Sequence, residues 1–496
     1  MKYDVVIIGS GLGGLQCAYT LAKKGLHVCV LEQNTQIGGC LQSFKRGAGS
    51  FDTGFHYVGG LEEGQSLYPL FRYFNLLDLP WKKLNSNCFD EIIINGESHS
   101  FANGHSQFKE ELGVPASNEA IQRYIDKLQE IGSHLFDLFK GEGDSNFYES
   151  PYFTQSAKEF LDETFDDELT KAVLMGASLK MQLDEHLPLY IFAQINNSFI
   201  ESAWRLNGGG MQIAESLAHD IQKMGGDIFT RQRVTKLEEV DGKVTKAIVN
   251  EGEMEYEADY FISNAHPVRT NEWLEESKAI RKVYRKRISS IPNSFGMFTV
   301  QLQLKADCQK YINRNLFIYE GENDTKVPDL WHLPETSDKI DRALVSFQIP
   351  EKGDFTRNID ILTPMRWEEV ERWNGTRIMQ RGEEYEALKK AKAEACIKLV
   401  AAHIPGFNRD FIEKIHTSTP LTYSDYTGSE CGAAYGMQKD NTKLLQTMLP
   451  VRTPISNLLQ TGQNINLHGI LGVSITSLLT CAEITGMEWI RKELGL

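Results

Sequence analysis

Strand, glycine turn, helix, strand and acid follow one another within the first 32 residues of this chain. Lys2 to Ile8 is an apolar run suited to a buried parallel strand, and it breaks at Gly9-Ser10-Gly11-Leu12-Gly13-Gly14. A helical pattern resumes from Leu15 to Lys24, and a second strand, His27 to Leu31, ends in Glu32. This order is the G-x-G-x-x-G fingerprint of a dinucleotide-binding Rossmann unit in its proper context. Gly9 permits a tight turn, Gly11 lets the backbone approach a pyrophosphate, and Gly14 lets the helix pack against the strand. The turn through Leu12 and Gly13 leads into a helix start that offers free N–H groups and partial positive charge to phosphates. Glu32 lies about 20 residues past the glycines, where a carboxylate accepts hydrogen bonds from a ribose diol. An acid there repels a 2′-phosphate, so adenosine with a free 2′-OH fits and NADP does not.

At 496 residues the chain exceeds one ordinary core, and two or three domains are expected. The formal net charge of −15 argues against nucleic acid as a partner, because phosphate binding needs clustered Lys and Arg. It also disfavours attachment to an anionic membrane by charge alone, although a local apolar patch could still make a peripheral contact. The eight cysteines are scattered without metal-type spacing, which predicts neither a metal site nor a disulfide framework. No segment reaches the roughly 18 apolar residues of a membrane span. The first strand begins by residue 3, leaving no room for a signal peptide, so a cytoplasmic chain is expected.

Further along, Gly38-Gly39 precedes a strand-like segment at 41–44, and Phe51 to Gly60 is again rich in glycine. Backbone so stripped of side chains must pass close to something flat or large. Residues 66–203 change character, with helical patterns at 118–140, 156–176 and 187–201 and a loop at 141–155. Ile92-Ile93-Ile94 meets Asn95-Gly96, which predicts a hairpin over 89–101. Dinucleotide-domain logic returns at Trp204. Gly208-Gly209-Gly210 opens an amphipathic helix, strands are expected at 227–230 and 233–239, and Asp241-Gly242 turns into 244–249. A second foreign block, about 290–440, carries strands at 295–304, 343–349 and 359–363 and a charged helix at 383–403. Leu458 to Gln463 is a strand entering a glycine turn, followed by a helix from about Ser474 to Arg491. The expected fold is α/β. A Rossmann-like domain (1–65, 204–289 and 441–496), a parallel sheet with helices on both faces, interleaves with an α+β substrate domain. That second domain (66–203 and 290–440) carries a mostly antiparallel sheet.

Several of these segments together resemble the phytoene desaturase-like branch of the FAD-dependent amine-oxidase superfamily. The anchors are Gly9 to Gly14 with Glu32 and Gly38-Gly39, Gly208-Gly209-Gly210-Met211, Ser263-Asn264-Ala265, and Thr461-Gly462-Gln463. Asp52-Thr53-Gly54-Phe55-His56-Tyr57-Val58-Gly59, and Thr419 to Gly428 running on to Gly432-Ala433-Ala434-Tyr435-Gly436, look most like the retinol-saturase side of that branch. The resemblance implies FAD as cofactor. Gly9, Gly11 and Gly14 would hold its pyrophosphate, Glu32 its adenosine ribose and the backbone of Val234 its adenine side. Gly462, Gln463 and the start of the final helix, including Gly472, would meet the ribityl chain, pyrophosphate and ring. Two departures stand out: Gln463 replaces the acid common after the closing glycine, and Asn207 the proline common before the central glycine run.

Such chemistry needs an apolar substrate held against the flavin, a dry pocket and one proton. His56, in the glycine-rich loop, and His468, just past the closing motif, are candidate proton donors or flavin-orienting groups; a histidine satisfied by a backbone carbonyl is the bland alternative for each. Tyr426, with Tyr423, Asp425, Glu430 and Tyr435, lies in a segment expected to cover the flavin face. Asp52 is expected to bond backbone amides in its turn, with facing the flavin as the alternative. The stretch 187–200, with Tyr190, Phe192 and Phe199, is a core helix, the lining of a lipid tunnel or a membrane dock. The expected reaction is reduction of a C=C bond in an apolar polyene or isoprenoid by hydride from flavin N5. A carotenoid desaturase or cis–trans isomerase would use the same pocket. A non-catalytic prenyl-lipid escort of the GDP-dissociation-inhibitor type shares the architecture without the flavin. The single complete fingerprint leaves the electron donor unknown.

Overall fold

The computed structural model describes residues 2–46, 49–139, 150–182, 184–321, 326–333 and 340–496. Its first strand, Lys2–Ile8, lies inside a seven-stranded sheet, parallel to Val28–Leu31 on one side and Met254–Ser263 on the other. Asp227–Phe229 extends the sheet beyond Val28–Leu31, and Leu458–Gln460 pairs parallel with the end of Met254–Ser263. An antiparallel ribbon, Val234–Val240 and Lys243–Val249, completes it through a turn at Asp241 and Gly242 with φ of 50° and 78°. The first strand reads as an unbroken apolar run because both its faces are covered. Val5 and Ile7 pack among the helices Leu12–Lys23, Met211–Lys223 and Gly469–Thr485. Val6 and Ile8 pack under the ribbon with Leu274 and Ile280.

The second sheet also has seven strands, and a single pair in it, Asp90–Ile94 with Asn315–Tyr319, is parallel. Its hairpin turns at Asn95 and Gly96, both with positive φ, as the Asn-Gly pair demands. One face packs on the helix Glu383–Ala401. Part of the other, through Met297, Phe317, Leu344 and Leu362, joins a core with Asn118–Ser133 and Leu189–Glu201.

Several element boundaries differ from the sequence reading, among them the helix expected over 118–140, which ends at Ser133. The first helix starts at Leu12 rather than Leu15, because Gly13 and Gly14 themselves take helical geometry against the strand. The helix expected over 156–176 is two, Ala157–Thr164 and Glu168–Met175, each started by its own side-chain cap, Ser156 and Asp167. The closing helix begins at Gly469 and breaks at Gly486, where φ is 84°, before Met487–Leu494. The segment at 41–44 is a 3-10 turn, Gly39–Leu41, leading into a hairpin of Ser43–Arg46 with Gly49–Asp52. Most of the loop expected over 141–155 lies outside the described residues, and Pro151–Thr154 within it is helical. Among the described residues, no helix is long and apolar enough to cross a membrane.

Candidate functional site

A cavity of about 990 Å³ opens where the two sheets meet. Gly9 and Glu32, each one residue past the end of a parallel strand, lie on its wall, the usual place for a ligand in an open α/β sheet. Met297, Leu344 and Leu362 bring the second sheet to the same space.

The glycine turn is closed by steric fit. A Cβ on Gly14 would overlap the carbonyl oxygen of Gly9, so the helix can approach the strand only if residue 14 lacks one. The Asn264 side chain fills the gap beside the turn: a Cβ on Gly11 or Gly13 would come within 2.9 or 2.8 Å of it. Gly462, which begins the closing turn, lies against the same asparagine. Asn264 therefore keys the two glycine turns together. Neither Leu12–Lys23 nor Gly469–Thr485 has a side-chain cap, so the N–H groups of both first turns are left for a ligand. Glu32 is 5% exposed and accepts from Ser10 N at 3.1 Å, Ser10 Oγ at 2.5 Å and Asn34 N at 2.8 Å. A carboxylate has about four acceptor sites, so capacity remains for a ribose hydroxyl. Uncapped helix starts, glycines where a Cβ would intrude, and a fixed acid form a donor set that fits a dinucleotide cofactor.

Of the residues singled out from sequence, Gly9, Gly11, Leu12, Gly13, Glu32, Gly38, Gly39, Val234, Gly462, Gln463 and Gly472 all lie on the cavity wall, as do His56 and His468. Gly14 does not; it sits behind the turn and acts through packing. Tyr426 is corrected. The helix Pro420–Thr427 turns it outward, 43% exposed and off the wall, and Tyr423 one turn earlier faces the cavity instead. Tyr423 is held there by Thr299 Oγ1 at 2.7 Å and the carbonyl of Thr53 at 3.2 Å.

The two histidines share an unusual state. The Nε2 atoms of both are buried with no protein partner. Burial, reinforced by Arg205, pushes His56 down to about 4, and burial, reinforced by Lys439, pushes His468 down to about 3. Both rings are therefore neutral near pH 7, each with a nitrogen open to a bound group. Asp52 bonds outside its own turn: its Oδ1 accepts from Ser43 Oγ at 2.5 Å and from Gly210 N at 3.0 Å, tying the hairpin to the central glycine run. The helix Leu189–Glu201 buries Tyr190 and Phe192 in the core and presents Ile195, Ser198 and Phe199 to the cavity. Its apolar surface is thus spent inside the protein and offers no membrane dock.

Among the polar groups on the wall that sequence reasoning missed is Lys180. Lys180, the last residue of the 3-10 helix Gly176–Lys180, places Nζ 3.3 Å from Asp90 Oδ2. Asp90 is fully buried and also accepts from Tyr57 OH at 2.7 Å and Asn315 Nδ2 at 2.8 Å. Tyr57 lies in a glycine-rich segment that the sequence marks out; Lys180 carries no local signal at all.

Three comparisons bear on this site. Residues 7–74 match a family model described as an NAD(P)-binding Rossmann-like domain. The chain is similar to all-trans-retinol 13,14-reductase of Danio rerio, 25% identical over 97% of this chain and 85% of that one. The Homo sapiens protein of that name is 27% identical, with the same coverage of each chain. A solved oxidoreductase from Methanosarcina mazei shares the fold, with a TM-score of 0.62 and 17% identity over 96% of this chain and 99% of that one. The likeness to the retinol-saturase side of the phytoene desaturase-like branch thus runs through nearly the whole chain.

Proposed function

We propose that this chain is an FAD-dependent oxidoreductase that reduces a C=C bond in an apolar, conjugated isoprenoid. The observation that carries this reading is that one cavity joins a dinucleotide cradle to an apolar chamber. The cradle is the glycine turn, Glu32 and the two uncapped helix starts; Ile195, Phe199, Met297, Leu344 and Leu362 supply the chamber. A free-standing dinucleotide site has no use for the second half. The names of the relatives support a retinoid-like substrate, and the intact acid and glycine set support FAD over an empty, escort-type pocket.

Gly9, Gly11 and Gly13, which line the cavity, would let the backbone approach the pyrophosphate, while Glu32 would take the ribose and Val234 would border the adenine. Gly462, Gln463 and the start of Gly469–Thr485 would meet the remainder, with Gln463 donating to a ribityl hydroxyl without adding charge. Hydride transfer is the chemistry that flavin supplies when bound. The apolar part of the chamber would hold the polyene, and the neutral imidazoles of His56 and His468 would orient polar edges there without competing for the proton. Electrons enter from a donor outside this chain.

An anaerobic experiment tests the reading. The flavin of purified protein is photoreduced, all-trans-retinol is added, and the flavin and polyene spectra are followed together. Flavin reoxidation with loss of polyene conjugation is expected. A shifted polyene band over still-reduced flavin would make it an isomerase, and colourless protein would remove flavin chemistry altogether.

A further inference from the structure

The reduction needs a proton as well as a hydride, and neither wall histidine carries one to spare near neutral pH. We propose, resting on the function above, that the Lys180 ammonium is the proton donor and that Asp90 is its positioning residue.

The geometry is that of a built site. Lys180 lines the cavity, yet its side chain is only 8% exposed, and Asp90 is 0% exposed. Its Nζ is 3.3 Å from Asp90 Oδ2, 3.5 Å from Tyr57 OH and 4.0 Å from the centre of the Phe199 ring. Tyr57 and Phe199 are themselves on the wall and pack at 4.6 Å. That contact exists because Gly59 lacks a Cβ, letting the strand Val58–Gly59 press onto the helix backbone at Ser198 and Phe199. The amine thus sits between an acid that fixes it and aromatic faces that tolerate a cation.

Asp90 in turn is bonded on both carboxylate oxygens. Asn315 donates to its Oδ1, Arg205 donates to Asn315 Oδ1 at 2.6 Å, and Arg205 bonds Tyr311 OH at 3.0 Å, so the fixing network reaches from the cavity wall to a half-buried tyrosine. From the other side, Tyr435 OH donates to the carbonyl of Leu179 at 2.5 Å, holding the turn that delivers Lys180. The titratable groups around the amine are therefore Asp90 and Tyr57 in contact, Tyr435 and His468 beside its own turn, and Arg205 behind Asn315. Burial lowers the ammonium pKa and Asp90 partly restores it, the direction a donor at neutral pH requires.

In the step itself, a hydride from the reduced flavin and the proton from Lys180 Nζ add across one C=C bond. Two C–H bonds form; the π bond, the flavin N5–H bond that gives the hydride and one ammonium N–H bond break; and two electrons pass from flavin to alkene, leaving the flavin oxidised. The amine is left neutral until solvent reprotonates it.

Lys180→Arg separates a donor from a structural cation, because guanidinium keeps the charge opposite Asp90 but does not release a proton. Single turnovers of all-trans-retinol by photoreduced holoenzyme are compared in wild type, Lys180→Arg and Tyr57→Phe, with flavin absorbance and polyene affinity measured alongside. Lys180→Arg should slow polyene loss by about 100-fold or more while flavin and polyene still bind, and Tyr57→Phe by no more than about 10-fold. Pulsed acetylation of cofactor-free protein across pH, mapped by mass spectrometry, should show the Lys180 amine titrating below the surface lysines. An arginine variant within threefold of wild type, a Tyr57→Phe loss exceeding it, or an amine that titrates with the surface lysines would each overturn the assignment. Wild-type holoenzyme that leaves the polyene untouched would instead defeat the proposed function, and the donor role with it.

Discussion

Replacing Asp52 by Asn should make this protein more stable near neutral pH, although the side chain makes two good hydrogen bonds. Both of those bonds, from Ser43 Oγ and Gly210 N, end on Oδ1, which an asparagine retains. What the substitution removes is a charge that burial penalises: the carboxyl is pushed up from 3.8 to about 6. A rise of that size corresponds to about 3 kcal/mol, and partial exposure of the side chain discounts it to about 2 kcal/mol. Because the folded pKa lies above the unfolded one, the folded state holds the proton more tightly between pH 4 and 6. The contribution of Asp52 is therefore fully present below about pH 3.8 and is lost as pH rises through about 6. Neighbouring Asp360, also buried and held well above the usual carboxylate range by burial and then by Asp52, should relax with it. Urea midpoints of the two proteins, measured at pH 4.5 and 7.5, read the effect. The variant should gain stability at pH 7.5, and the gap should shrink to about a third of that at pH 4.5. A variant that loses stability at pH 7.5, or a gap independent of pH, would refute the reasoning.

Glu32→Ala leaves Ser10 N and Asn34 N without their acceptor and removes the ribose partner, so the protein should purify colourless or with flavin affinity at least tenfold weaker by equilibrium dialysis. Gly14→Ala forces a Cβ into the carbonyl of Gly9 and should abolish flavin binding, whereas Gly25→Ala has open space and strains only a φ of 93°, costing about 1 kcal/mol in a melt with flavin retained. In histidine-selective NMR, His56 and His468 should stay neutral down to pH 5, and a titration midpoint near 6.5 for either would contradict their burial.

The parallel sheet is legible in the sequence because its signals are local: an apolar strand, three glycines and an acid at fixed spacing carry their own geometry. Glu32 can be assigned to a ribose from its spacing alone, whereas Gly462 enters only through the resemblance that its closing motif carries. Asn264 can be marked as part of a motif, but its wedge between Gly11, Gly13 and Gly462 depends on three segments hundreds of residues apart. Tyr426 misleads because glycine-rich composition does not fix which side of a helix faces inward, and only the docking of Pro420–Thr427 decides between it and Tyr423. Lys180, Asp90 and Tyr57 come from three distant segments, and nothing about a single lysine after Ser178-Leu179 reports that an aspartate 90 residues earlier awaits it.

That last cluster predicts an asymmetry in stability that its catalytic role alone would not. A buried ion pair is costly to break from one side when the survivor is left with a charge and no partner. Here the survivors differ. Without Lys180, Asp90 still accepts from Tyr57 and Asn315; without the Asp90 charge, Lys180 keeps only neutral acceptors, the Tyr57 oxygen and the one amide oxygen of the asparagine, and the aromatic faces. Asp90→Asn should therefore cost about 3–5 kcal/mol, and Lys180→Met about 1–2 kcal/mol, since the remaining hydrogen bonds to a charged group are each worth about as much. The double variant should recover part of the Asp90→Asn loss, because it removes the stranded ammonium as well. Thermal or urea midpoints of the three proteins decide the matter. A Lys180→Met loss equal to or larger than that of Asp90→Asn would mean that Lys180 is there to neutralise Asp90. The opposite order means that Asp90 is there to hold Lys180, as a wall group poised to deliver a proton requires.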